Sequence, residues 1–231
     1  MAATIDDGAL RGLLEESQDL HADAMRNSAL DDFVVAARDT KALDIQTLQT
    51  AASIEVLAIA TYDAALGLPF IGGSSANGVV KAFAMKTKDQ HADHLQGFNA
   101  AATQLGGKAQ NSPDPKYLPV VNAAKPMLKS PADVVALAIT LEDVAAETYT
   151  KNVSEVSSSD LRQLFAGVAG VEAQHKAILL AVQALLKGGH PELIALPPNA
   201  AKLPAAAGSV GFPDTFFPTR AASPATEGAV K

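Results

Sequence analysis

The 231-residue sequence contains no cysteine and no tryptophan. The absence of cysteine excludes disulfide bonds, thiolate metal ligands and a cysteine nucleophile. It does not identify a compartment, because proteins on both sides of a membrane tolerate a lack of cysteine. Any metal site in this chain must therefore use ligands other than thiolate sulfur.

Aromatic residues are scarce as well, at 5% of the chain, whereas hydrophobic residues make up 48% and are mainly Ala, Leu and Val. This composition favours helices packed on small side chains over a β-sheet. A bundle of four long helices needs about 120 to 150 residues, so the chain is long enough for one such core with flanking segments. We therefore predict an all-α fold.

Basic clusters and long apolar runs are also missing. The formal net charge is −7, and no predicted helix face gathers Lys or Arg, which argues against a nucleic-acid partner. No stretch approaches the roughly 20 apolar residues of a membrane span, and the first residues lack the basic region and apolar run of a signal peptide. We expect a soluble chain without a membrane span and without a leader in this sequence.

The chain divides into three predicted parts. Residues 1–43 form a helical extension, with one helix over Ile5–Met25 and a second that begins after an N-cap at Ser28. Residues 44–187 form a four-helix bundle. Residues 188–231 hold seven prolines and little periodicity, so we expect an extended tail that packs on the bundle.

The bundle helices are delimited by capping signals and by glycine and proline. Ser130, Pro131 and Asp133 together supply an N-cap, a first-turn proline and a capping acid, which is the clearest helix start in the chain. The segment between the second and third helices contains four prolines and is predicted to be a loop. The predicted helices are Asp44–Leu66, Val79–Leu105, Ser130–Val153 and Ser159–Lys187.

An internal repeat relates the two halves of the predicted bundle. Ile54–Tyr62 aligns with Leu141–Tyr149, so each half contains a Glu, followed by a Thr six residues later and a Tyr seven residues later. His91-Ala-Asp-His94 aligns with Glu172-Ala-Gln-His175, and both pairs have the i, i+3 spacing that places two side chains on one helix face. The repeat thus places ionisable residues at equivalent positions in the two halves.

Helical spacing puts six ionisable side chains on otherwise apolar faces, at similar depths in the core. They are Glu55, His91, His94, Glu142, Glu172 and His175. Burying an unpaired carboxylate costs several kcal/mol, so a compensating charge is required. One metal ion, or two about 3.5 to 4 Å apart, would supply it. Carboxylate oxygen with imidazole nitrogen suits iron or manganese, and zinc where imidazole predominates. Tyr62 and Tyr149 are predicted to orient the carboxylates by hydrogen bonds.

This pattern resembles the ferritin-like superfamily, whose members place a Glu on one helix and Glu-x-x-His on the next, twice, around two metal ions. The resemblance covers Asp44–Lys187. It implies that Glu55 and Glu142 are terminal carboxylates, Glu172 a bridging carboxylate, and His94 and His175 the nitrogen ligands. His91 stands where the family has its second bridging Glu. The site could therefore be mononuclear, hold an unequal pair of metals, or be metal-free.

The tail from Gly211 to Thr219 looks like the end of exported bacterial ferritin-like-domain proteins, which often carry twin-arginine leaders. This resemblance implies a location outside the cytoplasm, in the periplasm or cell envelope, with the leader removed. Long segments at both ends of the bundle would obstruct the contacts of a 24-subunit cage, so a dimer is the more compatible oligomer.

Three functions remain open from the sequence. The leading one is a metal-binding protein with an oxidase or peroxide-consuming activity, in which His91 caps or tunes the metal. A manganese-catalase-like activity is a variant of the same hypothesis. The alternative is a structural or stress-related module that keeps the bundle but has a degenerate, metal-free site.

Overall fold

The computed structural model describes residues 40–191 together with Ile194 and Phe216. Over these residues the chain is helical and contains no strand. The predicted helices within residues 1–39 and most of the predicted tail lie outside this part. The helices are α1 (Thr40–Leu66), α2 (Pro69–Gly72), α3 (Gly78–Gln104), α4 (Leu118–Ala124), α5 (Pro131–Glu155) and α6 (Ser159–Lys187), with a 3₁₀ turn at Lys125–Met127.

The four long helices form a bundle of two pairs. Helix α1 packs along α3 and α5 packs along α6, and the pairs meet through contacts of α1 with α5 and of α3 with α6. Short connections within each pair make its two helices antiparallel neighbours. Residues 105–130 cross from one pair to the other. The predicted all-α four-helix bundle is confirmed.

The start of α5 follows the predicted capping box. The Ser130 side chain accepts a hydrogen bond from the Asp133 backbone N–H, the Asp133 carboxylate accepts one from the Ser130 backbone N–H, and Pro131 occupies the first turn. Helix α1, in contrast, is already helical at Thr40, the first described residue, four residues before the predicted start at Asp44. Asp44 lies within the helix and is buried, and its carboxylate accepts hydrogen bonds from the backbone and side chain of Ser157.

The crossover between α3 and α5 is more ordered than the predicted loop. Pro119 lies in the first turn of α4, where its missing N–H removes no helical hydrogen bond. Asp114 is buried and accepts hydrogen bonds from the backbone N–H groups of Lys116 and Tyr117, while its own N–H donates to the Ser53 carbonyl of α1. These bonds attach the crossover to the first helix pair.

Two apolar clusters fill the bundle, one toward each end. The first includes Leu48, Phe98, Tyr149, Phe165 and Val168, and the second includes Tyr62, Phe83, Val135 and Leu179. Burial of each large apolar side chain contributes about 1.5 to 3 kcal/mol relative to exposure. Along every long helix, the predicted ionisable positions lie between the segments that supply the two clusters.

Among the described helices, only α6 is long and apolar enough by length and composition to cross a membrane. Its apolar side chains Leu161, Phe165, Val168 and Leu179 are buried in the two clusters. Packing inside the bundle accounts for that composition.

Candidate metal centre

The six ionisable residues singled out by the repeat lie together in the middle of the bundle, and each is at most 2% exposed. They come from all four long helices and supply three imidazoles and three carboxylates as possible ligands. Two overlapping groups have ligand atoms within 4.8 Å of one another. These groups are Glu55, His91, His94 and Glu172, and His91, Glu142, Glu172 and His175.

His91 lies among the three carboxylates. Its Nδ1 atom is 2.7 Å from Glu55 Oε2 and 3.6 Å from Glu172 Oε1, and its Nε2 atom is 3.3 Å from Glu142 Oε1. The residue that departs from the ferritin-like pattern therefore joins both halves of the bundle, because it contacts a carboxylate from α1, α5 and α6.

Glu172 has the complementary position among the three imidazoles. Its Oε1 atom is 2.9 Å from His94 Nδ1, and its Oε2 atom is 2.9 Å from His175 Nδ1. His175 Nδ1 also lies 3.3 Å from Glu142 Oε2. Glu172 and His91 are the two residues shared by both groups, so any ion bound in either group would lie beside both.

The two tyrosines are hydrogen-bonded across the bundle to carboxylates of the opposite half. Tyr62 on α1 donates to Glu142 Oε1 on α5 at 2.5 Å, and Tyr149 on α5 donates to Glu55 Oε1 on α1 at 2.6 Å. Burial and Glu142 raise the pKa of Tyr62 well above its ordinary value, and burial and Glu55 do the same for Tyr149. Both hydroxyls therefore stay protonated and act as donors that orient the carboxylates.

The electrostatics of the site are those of a compensated network. Burial by itself lowers the pKa of His91, but Glu172, Glu142 and Glu55 outweigh it and raise that pKa well above the ordinary value. For the same reason the pKa of His94 is raised, and that of His175 is raised to about 9. Burial acts to raise the pKa of Glu172, but the three imidazoles lower it well below its ordinary value. Protonated imidazoles thus balance the carboxylates at neutral pH.

The donor set fits a divalent cation. Metal–nitrogen and metal–oxygen bonds of about 2.0 to 2.2 Å place neighbouring ligand atoms at separations that the two groups already show. Glu172 Oε1 is fully buried and has no well-aligned hydrogen-bond donor among the described residues, although His94 Nδ1 lies 2.9 Å away as an ion-pair partner. A metal ion could take the place of the protonated imidazole as the positive partner of this buried oxygen, and the residues present therefore fit one ion or two.

A partly enclosed cavity of about 20 Å³ lies between α1 and α5 and reaches His91 and Glu142. Its walls are mainly apolar and include Leu57 and Leu141, and Tyr117 of the crossover contributes to them. A cavity needs about 10 to 15 Å³ of such volume to hold one water molecule, so this one admits a molecule of only a few atoms.

Sequence reasoning missed one residue of the site. Gln90 on α3 is 1% exposed, and its Oε1 atom lies 3.0 Å from His175 Nε2. The repeat could have pointed to Gln90, because its aligned position in the other half is the apolar Val171. A polar residue on this helix without a polar counterpart is a departure from the repeat. The register between α3 and α6, which brings Gln90 to His175, was not readable from the sequence.

Comparison with known protein families identifies the fold family of the bundle. A family profile for the ferritin-like domain matches residues 43–185, which includes all six residues of the site. No curated protein and no solved structure matches the chain.

Proposed function

The chain belongs to the ferritin-like domain family, and we propose that it binds metal ions in its bundle core for oxidation chemistry on a small molecule. The observation that carries this proposal is the pair of overlapping four-residue groups that share His91 and Glu172. Three imidazoles and three carboxylates suit iron or manganese, and zinc less well. We infer an oxidase or a peroxide-consuming activity.

Each residue has a distinct part in this proposal. Glu55 and His94 would hold one ion, and Glu142 and His175 would hold the other. Glu172 belongs to both groups and would be shared between the two ions. His91 would contribute an imidazole where a second shared carboxylate is otherwise expected. Bound iron or manganese would supply the electrons exchanged with dioxygen or hydrogen peroxide.

The surroundings of the site favour a small, neutral substrate. The cavity beside His91 and Glu142 has a volume of about 20 Å³, which suits dioxygen or hydrogen peroxide and excludes a metabolite-sized compound. The apolar clusters on either side limit the entry of bulk water. Tyr62 and Tyr149 hold their carboxylates in place during any exchange of ligands.

The test is metal-dependent consumption of dioxygen and hydrogen peroxide. Metal-free protein would be loaded separately with iron(II), manganese(II) and zinc(II), with Glu147→Gln, an exposed carboxylate on α5, as the matched control. We expect consumption with iron or manganese, none with zinc, and no effect of the control substitution. Rapid release of dioxygen from peroxide by the manganese form alone would identify the catalase-like variant.

A second function is favoured by the charge balance of the network. Three imidazoles with raised pKa values face three carboxylates, so the core is compensated even without a metal ion. This supports a structural or stress-related module with a metal-free site. Protein that takes up no metal and keeps its full melting temperature would favour this function over the oxidase.

Location and assembly are separate proposals. We propose that the protein works outside the cytoplasm and assembles at most into a small oligomer rather than a 24-subunit cage. Cell fractionation would test the location, and light scattering after gel filtration would test the assembly. A particle of 24 subunits would contradict the second proposal.

A further inference from the structure

The buried side-chain amide of Gln90 determines which ring nitrogen of His175 carries a proton. The Gln90 Oε1 atom lies 3.0 Å from His175 Nε2, at a residue exposure of 1%. An amide oxygen can only accept a hydrogen bond, so the imidazole nitrogen that faces it carries a proton. This fixes the chemical state of one of the two ring nitrogens.

The other ring nitrogen of His175 faces the carboxylates. Its Nδ1 atom is 2.9 Å from Glu172 Oε2 and 3.3 Å from Glu142 Oε2, within one of the two candidate ligand groups. Only an unprotonated ring nitrogen can bind a metal ion. If Nε2 keeps its proton on Gln90, Nδ1 is the nitrogen left for the ion, and it already points to the carboxylates.

We propose, resting on the metal-binding function above, that Gln90 is a positioning residue that keeps the proton on His175 Nε2 and thereby presents Nδ1 to the ion. The partner of a metal-ligating histidine commonly sets its orientation and tautomer in this way. Gln90 does so without adding a negative charge to a core that already holds three carboxylates. A carboxylate at the same place would increase that negative charge.

The other half of the bundle supports its histidine differently. The residue aligned with Gln90 is Val171, which has no side-chain acceptor. The ring of His94 instead lies with its centroid 5.6 Å from that of Phe216, which also packs against Gly97. Gln90 therefore acts on the ion beside His175 and Glu142, and Val171 at the equivalent repeat position offers no such acceptor.

Zinc(II) is the probe, because it is diamagnetic and its histidine ligands can be followed by NMR on protein with ¹⁵N-labelled histidine. The variants are Gln90→Met, which keeps the length but removes the amide oxygen, and Gln90→Glu, which keeps an oxygen acceptor. Gln96→Met is the control, since Gln96 is exposed on the same helix. We expect wild-type zinc to bind through Nδ1 of His175, with a slowly exchanging proton on Nε2.

Gln90→Met is expected to weaken zinc binding by about 10- to 100-fold and to accelerate exchange of the Nε2 proton. Gln90→Glu is expected to retain that proton and most of the affinity, and Gln96→Met to match the wild type. Zinc bound through Nε2 in the wild type, or unchanged binding in Gln90→Met, would overturn the proposal. Loss of the protected proton in a folded Gln90→Glu variant would do the same.

The metal-free protein provides an independent measurement. There the proton on His175 Nε2 should already be protected from solvent exchange by Gln90, and this protection should disappear in Gln90→Met. An unchanged exchange rate would show that Gln90 does not hold the proton. A wild-type protein that shows the protected proton but binds no zinc would contradict the metal-binding function and leave the contact between Gln90 and His175 established.

Discussion

The two halves of the bundle contain the same arrangement of ionisable residues with one exchange. Helices α1 and α3 supply a Glu and a His-x-x-His pair, whereas α5 and α6 supply a Glu and a Glu-x-x-His pair. The exchanged residues are His91 and Glu172, and both are members of the two candidate ligand groups. The departure from the repeat therefore lies at the centre of the site rather than at its edge.

This exchange explains how the core can bury six ionisable side chains and still suit a bound cation. His91 contacts three carboxylates, and Glu172 contacts three imidazoles, so each balances the charge of the other set. A carboxylate in place of His91 would leave four carboxylates opposite two imidazoles. Compared with a glutamate at this position, His91 reduces the negative charge that a metal ion would have to balance. It also removes one anionic ligand.

Replacing the shared carboxylate should have the largest effect. Glu172→Gln keeps the size of the side chain but leaves three buried imidazoles with two carboxylates. We expect the free energy of unfolding of the metal-free protein to fall by about 3 to 5 kcal/mol, because removal of one partner leaves buried charge uncompensated. Urea unfolding measures this, and Glu147→Gln at the surface should change it by less than about 0.5 kcal/mol. A loss as small as that of the control would disprove the compensated network.

Making the halves alike is the complementary change. His91→Glu restores the repeat and places four carboxylates in the core, so the metal-free variant should be less stable by about 2 to 4 kcal/mol. Metal ions should recover that stability, and a second ion should bind more tightly than in the wild type. Calorimetric titration with manganese(II) before and after the substitution measures both affinities. Equal stability and equal stoichiometry in the two proteins would show that residue 91 does not control the charge of the site.

The histidines should make stability depend on pH in the metal-free protein. A histidine with a higher pKa in the folded than in the unfolded chain stabilises the fold fully below about pH 6.5. That contribution is lost as pH rises through the folded-state value, which is about 9 for His175. We therefore expect the urea midpoint to fall between pH 6.5 and 9. The lowered pKa of Glu172 predicts a second loss as the solution becomes strongly acidic.

Metal affinity should change in the opposite direction over the same window. Because an ion displaces protons from the imidazoles, each displaced proton strengthens binding about tenfold per pH unit on the way up to the histidine pKa. Manganese(II) titrations at pH 6.5, 7.5 and 8.5 would measure the slope. A midpoint and an affinity that both stay constant with pH would contradict the charge assignment of the three histidines.

Removing the hydroxyl of Tyr62 or of Tyr149 should have the smallest effect on stability, and the loss should be the same in both halves. Tyr62→Phe and Tyr149→Phe each remove one hydrogen bond to a buried carboxylate, at a cost of about 1.5 to 3 kcal/mol. Tyr117→Phe, at the half-buried Tyr117 of the crossover, is the control for loss of a hydroxyl. Thermal unfolding of the three variants measures the difference. Strongly unequal losses for Tyr62 and Tyr149 would show that the two halves are not equivalent in this contact.

Much of the fold could be predicted because local signals coincide with helix ends. The capping box at Ser130 and the glycines at 106 and 189, which adopt positive φ, mark boundaries through backbone chemistry alone. The burial of Asp44 could not be predicted, because its partner Ser157 lies far along the chain. Helix α4 was missed because its one proline, Pro119, is compatible with a loop and with a first helical turn.

The candidate site was predictable in its members but not in its contacts. Helical spacing and the repeat place the six residues on buried faces, and the structure brings them together. Which tyrosine bonds to which carboxylate depends on the register of helices from different halves, and no local pattern encodes that register. Gln90 was missed for the same reason, since its partner His175 lies on another helix.

Metal binding by the bundle core is tested without any added reagent by the metal content of the protein purified without chelator. Mass spectrometry would be applied to the wild type and to a Glu172→Ala, His175→Ala double variant, with Glu147→Gln as control. We predict near-stoichiometric iron or manganese in the wild type and the control, and its loss in the double variant. Metal far below one ion per chain in all three proteins would contradict metal binding by the core and favour a self-compensated structural core.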